Sequence, residues 1–484
     1  MVVLGLVLVH VDCVVYPTPL QTYVAKSDPS YEYTLATTVA GSDTTTYVLK
    51  LTSQTWLTDQ DVNPSLWQHW FQVIVPNNLE ESTQSGIYVD GGEYSPNPPT
   101  SQDVEGVMLA VQTKMIMGHL YQIPNEPTIF LAEGKRRSED AFLAYTWAHF
   151  LNDTTKPEWI GRFPMVKAVV RAMDAMQDFI SKLGHTKPEK FVIAGASKRG
   201  WVTWLTPAVD SRVNAIVPMV MPILNMVDVI NQMWRSLGLW TFAFKDYTSL
   251  GLLQFVNDPS FQELADIIDP VNYMPYIEKL PKYMVFSTGD EFFLPDSTRN
   301  FYEQSLLGPK YLRMVPNTEH SLAPLDQLVV ENIGSFVNYV KHGDTIPSLI
   351  EKIIYSNTTA SITVWPSQPP DEVKMWVAYT TSPTRRDFRL IVCTKLPDCF
   401  QPVIWSSTDL PANADGSYTA TTSAPLLGFA GFVIEVSYKS KYGTDDWYSI
   451  TSQVVIVPDI YPFAPCGNNC GQNGTYYAQE DYLF

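Results

Sequence analysis

The chain has 484 residues, 45% of them hydrophobic and 17% charged, and carries a formal net charge of −18. That balance describes a globular protein with a large core, arranged as one large domain and a smaller one, or as about three units. The acidity argues against nucleic-acid binding, which needs basic surface to displace counterions.

Val2 to Val9 is an uninterrupted apolar run. It is too short to span a bilayer and has the character of the apolar region of a secretory signal. His10 and Asp12 end it, and cleavage after Cys13 would make residues 1–13 the signal peptide. A buried first strand is the alternative. Thr46–Leu51 and Phe71–Pro76 then read as opening strands, and Gly86–Val89 as a strand that runs through Asp90 into the pair Gly91-Gly92. Pro127–Leu131 is another short strand. Ser138 is expected to cap a helix that begins with the acids Glu139 and Asp140 and continues from Ala141 to Leu151. From Pro164, apolar residues recur at helical spacing (Val166, Val169, Val170, Met173, Met176, Phe179, Ile180, Leu183), and Gly184 ends the helix.

The apolar segment Phe191-Val192-Ile193-Ala194 leads into Gly195-Ala196-Ser197-Lys198-Arg199-Gly200-Trp201. A buried strand, a sharp turn with serine at its tip and a helix start together describe a nucleophile elbow. The usual pattern is Gly-x-Ser-x-Gly, whereas here Arg199 takes the fifth position and Gly200 follows it. A serine and glycine turn that merely opens a helix is the competing reading. Val213–Met219, Tyr283–Ser287 and Lys310–Val315 are further buried strands, and helical patterns alternate with them. That alternation predicts an α/β fold with a doubly wound, mostly parallel sheet. The stretch 222–281, rich in Met, Trp, Tyr and Phe, is expected to be a helical cap over the sheet edge.

Beyond about residue 350 the helical period disappears. Ser361–Val364, Glu372–Tyr379, Phe388–Cys393, Tyr418–Thr421, Gly431–Tyr438 and Ser449–Val457 alternate apolar and polar residues. This predicts a β-sandwich over 358–460, after a core domain over 14–350, with an irregular tail over 461–484. Once Cys13 is removed, Cys393 with Cys399 and Cys466 with Cys470 form two close pairs, suggesting two small-loop disulfides and an oxidising compartment. No histidine lies near them, so a metal site is not expected. The sequons at Asn152, Asn357 and Asn473 fit secretion or an endolysosomal lumen.

A serine nucleophile needs a base, and the base an orienting acid, in the chain order serine, acid, histidine. Asp290 follows the strand Tyr283–Ser287, and His320 follows Lys310–Val315. Asp290 could instead be a helix cap, with Glu291, Asp296 and Asp228 as rival acids. Asp296 could equally cap the helix expected from Ser297, and His320 could be an ordinary loop histidine. The oxyanion donors would be the Lys198 amide and the loop at Gly91 or Gly92. One of the Lys198 and Arg199 side chains would help hold an oxyanion or a substrate carboxylate, or else both are solvated or pair with acids such as Asp90 or Glu93.

Five runs carry a resemblance: Arg137-Ser138-Glu139-Asp140-Ala141, Phe163-Pro164-Met165-Val166-Lys167-Ala168, the Ser197 run, Asp290-Glu291-Phe292-Phe293-Leu294-Pro295-Asp296 and Val315-Pro316-Asn317-Thr318-Glu319-His320. Over about residues 40 to 340 the chain resembles the PhoPQ-activated pathogenicity-related proteins, which include secreted autocrine proliferation repressors of amoebae. The resemblance implies an α/β-hydrolase core with its serine at Ser197 and with Asp290 and His320 at the acid and base positions. It also implies that lysine and arginine after the serine are the family's own form. Two function classes follow. One is a secreted serine hydrolase that acts on a small-molecule ester or peptide and uses no cofactor. The other is a secreted signalling protein that represses proliferation, meets a cell-surface receptor and uses the fold for recognition.

Overall fold

In this computed structural model the described residues are 17–394, 399–443 and 446–467. The expected signal peptide, Cys470 and Asn473 lie outside them.

Nine strands form the central sheet: β1 (Glu32–Ala40), β2 (Thr44–Thr55), β3 (Leu66–Pro76), β4 (Gln84–Val89), β5 (Met117–Leu120), β6 (Lys190–Ala196), β7 (Val213–Met219), β8 (Lys282–Ser287) and β9 (Lys310–Val315). Their spatial order is β1-β2-β3-β5-β4-β6-β7-β8-β9. The β1, β2, β3 and β5 neighbours pair antiparallel. From β5 to β9 every pair is parallel. Strands buried on both faces need continuous apolar runs, and every residue of β8 is buried.

The sequence reading missed β1 and β5. The first has an exposed pattern, and the second is only four residues long with a histidine inside it. Thr128–Phe130, within the expected strand at 127–131, belongs to a separate small sheet with Val62–Asn63 and Lys135–Arg137.

Helices cover both faces: α1 (Val104–Thr113), α2 (Glu139–Asn152), α3 (Arg162–Lys182), α4 (Lys198–Leu205), α5 (Met226–Leu237), α6 (Pro259–Ile268) and α7 (Asp326–His342). Instead of one apolar stripe, α3 begins with two turns that are buried all round, residues 162–169. It also starts two residues before Pro164. Between β7 and β8, α5, α6 and several short helical turns form the expected cap.

Ser138 precedes α2 but makes no side-chain cap. The chain enters α2 through Glu139 at φ +52°, and the Glu139 amide donates to Glu126 Oε2 (2.6 Å), which takes the place of the cap.

The C-terminal part contains two antiparallel sheets. One is β10 (Leu349–Tyr355), β11 (Thr359–Pro366) and β14 (Tyr418–Ser423). The other orders β13 (Ser406–Asp409), β12 (Glu372–Tyr379), β15 (Ala430–Lys439) and β16 (Trp447–Thr451), with β17 (Val455–Val457) on β15. Ile362, Val364 and Ala420 of the first sheet share a core with Phe432, Ile434 and Val436 of the second. This region begins at Leu349, ahead of the expected 358. Phe388–Cys393 is not a strand, because its backbone serves the core domain instead: the Leu390 amide donates to the Gly289 carbonyl (3.0 Å). Cys393 and Cys399 are bridged. Cys466 is disulfide-bonded as well.

Candidate active site

The strand order reverses between β5-β4 on one side and β6 on the other, so the loops after β4 and β6 leave the sheet side by side. Val89 pairs with Gly195 at that edge. Such a switch point at the carboxyl end of a parallel sheet is where α/β proteins place ligands.

Ser197 stands between β6 and α4 at φ +55° and ψ −126°. A non-glycine residue held there costs on the order of 1–3 kcal/mol, so surrounding contacts must fix it. Its amide donates to the Met219 carbonyl (2.9 Å), and its carbonyl accepts from the Trp201 amide (3.1 Å). The turn lifts the hydroxyl off the sheet, 2.8 Å from His320 Nε2. On the far side of the ring, His320 Nδ1 lies 2.9 and 2.8 Å from the two Asp290 oxygens.

Asp290 is 3% exposed, and its Oδ1 also accepts the Phe292 and Phe293 amides (2.7 and 3.1 Å). It therefore holds the turn and the imidazole together. Burial opposes a charge on His320, but Asp290 outweighs it and raises the imidazole above its ordinary pKa. Among the rival acids, Glu291 accepts the His320 backbone amide (3.1 Å), and burial followed by Asp290's charge pushes it up to about 7. Asp296 makes no side-chain helix cap and instead pairs with the fully buried Arg386. Asp228 sits in the first turn of α5, within the cap.

The Lys198 amide is at the start of α4, where a helix leaves its first N–H groups unbonded. In the loop after β4, the Gly91 amide donates to Asp90 Oδ1 (2.7 Å), and the Gly91 carbonyl accepts from Gln122 (2.8 Å). Gly92 has φ +99°. Lys198 and Arg199 do not pair with Asp90 or Glu93. Lys198 Nζ lies 2.6 Å from Glu139 and 3.1 Å from Asp140, while Arg199 binds Glu139 bidentately (2.6 and 2.9 Å). The reason is local. Both side chains point toward the start of α2, whereas Asp90 is engaged by His119 (3.2 Å), whose ring also pairs with Asp103 (2.7 Å). Burial and Glu139 raise Glu126 above the usual carboxylate range. Glu139 itself is held well below that range, because Arg199 and Lys198 outweigh its burial.

A cleft opens beside Ser197, about 470 Å³ when the open solvent at its mouth is included. Its walls include Trp147, Trp201, Ile230, Phe244, Phe292 and Phe293, so the cap and the Asp290 turn supply an aromatic lining. Arg162 and Asp140 also line it.

The sequence reading missed three supports of the site: Arg162, the Glu139–Asp140 partners of Lys198 and Arg199, and the described parts of one later segment, residues 386–394 and 399–405. In that segment Trp405 exchanges backbone hydrogen bonds with the Asn317 side chain (2.7 and 2.9 Å), three residues before His320. Among the described residues no group of three or more His, Cys, Asp or Glu side chains is arranged to hold a metal ion. The Asn152 and Asn357 sequons are exposed.

The chain is similar to known proteins to different depths. An acetyl xylan esterase from Paenibacillus sp. R4 superposes with a TM-score of 0.45 at 13% identity, covering 66% of this chain and 92% of that one. A glucuronoyl esterase from Solibacter usitatus gives 0.41 at 11% identity, covering 63% and 86%. In sequence, autocrine proliferation repressor protein A of Dictyostelium discoideum is 41% identical over 478 residues, 96% of each chain. The PhoPQ-activated pathogenicity-related protein family matches residues 20–389, from ahead of β1, through the Ser197 turn and the Asp290 and His320 loops, into the segment that braces them. By that match and that identity the chain is a member of the PhoPQ-activated pathogenicity-related protein family, built on an α/β-hydrolase core.

Proposed function

We propose that the protein is a secreted serine hydrolase that cleaves an ester or peptide bond. The observation that carries this reading is the continuous chain Asp290–His320–Ser197, with both imidazole nitrogens engaged. Ser197 Oγ attacks the substrate carbonyl while His320 Nε2 takes its proton. Asp290 orients the ring and stabilises the imidazolium that forms. The tetrahedral oxyanion is held by the Lys198 amide and by the loop after β4. Because Gly91's amide is already engaged, that second donor falls to Gly92. His320 then protonates the leaving alcohol or amine. A water, deprotonated by the same nitrogen, hydrolyses the acyl-serine and releases the acid. The Cys393–Cys399 disulfide and the exposed Asn152 and Asn357 support an extracellular setting.

A fluorophosphonate probe tests the chemistry. It labels Ser197 in the folded protein, and Ser197→Ala abolishes labelling. Folded wild-type protein that resists the probe would refute the reading.

A second reading is favoured by the relative named an autocrine proliferation repressor. Here the protein represses proliferation of the cells that secrete it, through a surface receptor. Ser197→Ala protein added to cells separates the two. Retained repression makes catalysis dispensable for signalling, and lost repression ties signalling to the serine.

A further inference from the structure

Arg162 begins α3 and is 1% exposed, yet it lines the cleft beside Ser197. Its Nη1 donates to the Lys198 carbonyl (3.1 Å), and its guanidinium stacks 4.2 Å from the Trp201 ring centroid. Its Nε is buried and has no hydrogen-bond partner. Among the described residues no carboxylate pairs with it. The neighbouring cations differ in this respect. Lys198 is matched by Glu139 and Asp140, and Arg199 by Glu139. Asp140 is further engaged by the Tyr247 hydroxyl (3.0 Å). Burial lowers Arg162 to about 10, which leaves it charged at neutral pH.

A guanidinium buried with no carboxylate in contact is costly; Asp140 acts on it only from beyond ion-pair distance, and an anion entering the cleft would offset the cost that remains. The planar fork suits a carboxylate, and one unmatched charge suits one acid group. Apart from Ser197, the Lys198–Asp140 pair and the Tyr247 hydroxyl bonded to Asp140, the remaining walls are aromatic and apolar. We propose that Arg162 binds a carboxylate of the substrate, so that the cleft takes an apolar group bearing a single acid. The proposal rests on the serine-hydrolase reading for its chemistry but not for its binding.

Two ester pairs test it. On the acyl side, p-nitrophenyl hydrogen glutarate is compared with its methyl ester. On the alcohol side, 4-acetoxybenzoate is compared with its methyl ester. The expected result is an acid preference in kcat/KM on the order of 10- to 100-fold in one pair, with the ratio falling toward one in Arg162→Gln. The proposal is overturned if neither acid is preferred, or if the preference survives in Arg162→Gln. Because Arg162→Gln could misfold, wild-type protein is also titrated with phenylacetate and with phenylacetamide, following tryptophan fluorescence from the cleft. Tighter binding of the acid supports the proposal, and equal or tighter binding of the amide overturns it. Esters turned over without acid preference would sink this inference and leave the hydrolase reading standing. Absence of both turnover and probe labelling would sink the hydrolase reading, and the titration would still decide the carboxylate site.

Discussion

Arg199 closes on Glu139 with both terminal nitrogens, at 2.9 and 2.6 Å, while its Nε donates to the Ile123 carbonyl. The residue that stands where a nucleophile elbow usually has glycine is therefore a clamp. It ties the turn to α2 and to the chain after β5. The close approaches that demand glycine fall elsewhere. A Cβ at Gly195 would meet the Arg199 carbonyl oxygen at 2.9 Å, and one at Gly200 would meet the Met219 carbonyl oxygen at 2.7 Å.

Replacing Arg199 with lysine keeps the charge but loses the fork. Glu139 then depends on Lys198, and the Ile123 carbonyl loses its donor. The expected cost is about 1–3 kcal/mol of stability, the range for a hydrogen bond to a charged group. Slower fluorophosphonate labelling of Ser197 should accompany it. Thermal denaturation and labelling rates check both, and an unchanged labelling rate would show that the clamp does not hold the serine in place.

Gly195→Ala and Gly200→Ala each press a methyl group against backbone, which cannot swing aside as a side-chain tip can. Overpacking of this kind costs about 1–3 kcal/mol. The relief available is a shift of the turn, which moves Ser197 away from His320. Both variants should label far more slowly than wild type at temperatures where circular dichroism reports a folded protein. Gly343→Ala, where a Cβ would meet open space but φ is +66°, is the control for backbone strain alone.

The core strands β6, β7 and β8 were legible because burial on both faces forces largely apolar runs, and the edge strand β9 by the apolar residues on either side of Arg313. The order serine, acid, histidine could be read because each residue follows such a strand. What stayed hidden depends on long-range pairing. Nothing local in Arg162 distinguishes a cleft-lining guanidinium from a helix-surface one. The partners of Lys198 and Arg199 lie about sixty residues upstream, in a run that looked like an ordinary capped helix start. Phe388–Cys393 alternates like a strand, yet its backbone is used on Gly289, which no periodicity can report.

Asn317 tests whether the C-terminal region braces the site. It holds φ +60°, which asparagine tolerates better than most residues, and its side chain makes both hydrogen bonds to the Trp405 backbone. Asn317→Gly keeps the backbone conformation and removes only the brace. Asn317→Ala removes the brace and adds strain. Each lost hydrogen bond is worth about 1 kcal/mol, so Asn317→Gly should lose about 2 kcal/mol and Asn317→Ala more. If the brace positions His320, both variants should also lower kcat/KM on a simple ester. Full activity in Asn317→Gly would confine the contact to stability.

The pH dependence follows from two neighbouring groups. Burial disfavours the charged imidazole of His320, but Asp290 prevails and its pKa lies above 6.5. In the proposed mechanism it acts as a base and must be neutral, so kcat/KM should fall with a slope of one proton below a midpoint above 6.5. The pair's contribution to stability has the opposite sense. It is fully present below 6.5, the unfolded value, and is lost as pH rises through the folded value. The protein would thus gain most from this contact where the proposed activity is lowest. Glu291, pushed up to about 7 by burial and then by Asp290, ionises in the same window, and its negative charge favours the imidazolium. Glu291→Gln removes that charge, so the acid limb of the profile should move to lower pH. Profiles of kcat/KM on an uncharged ester for the two proteins decide the point. A limb that stayed in place or moved upward would mean that Glu291 does not tune the base.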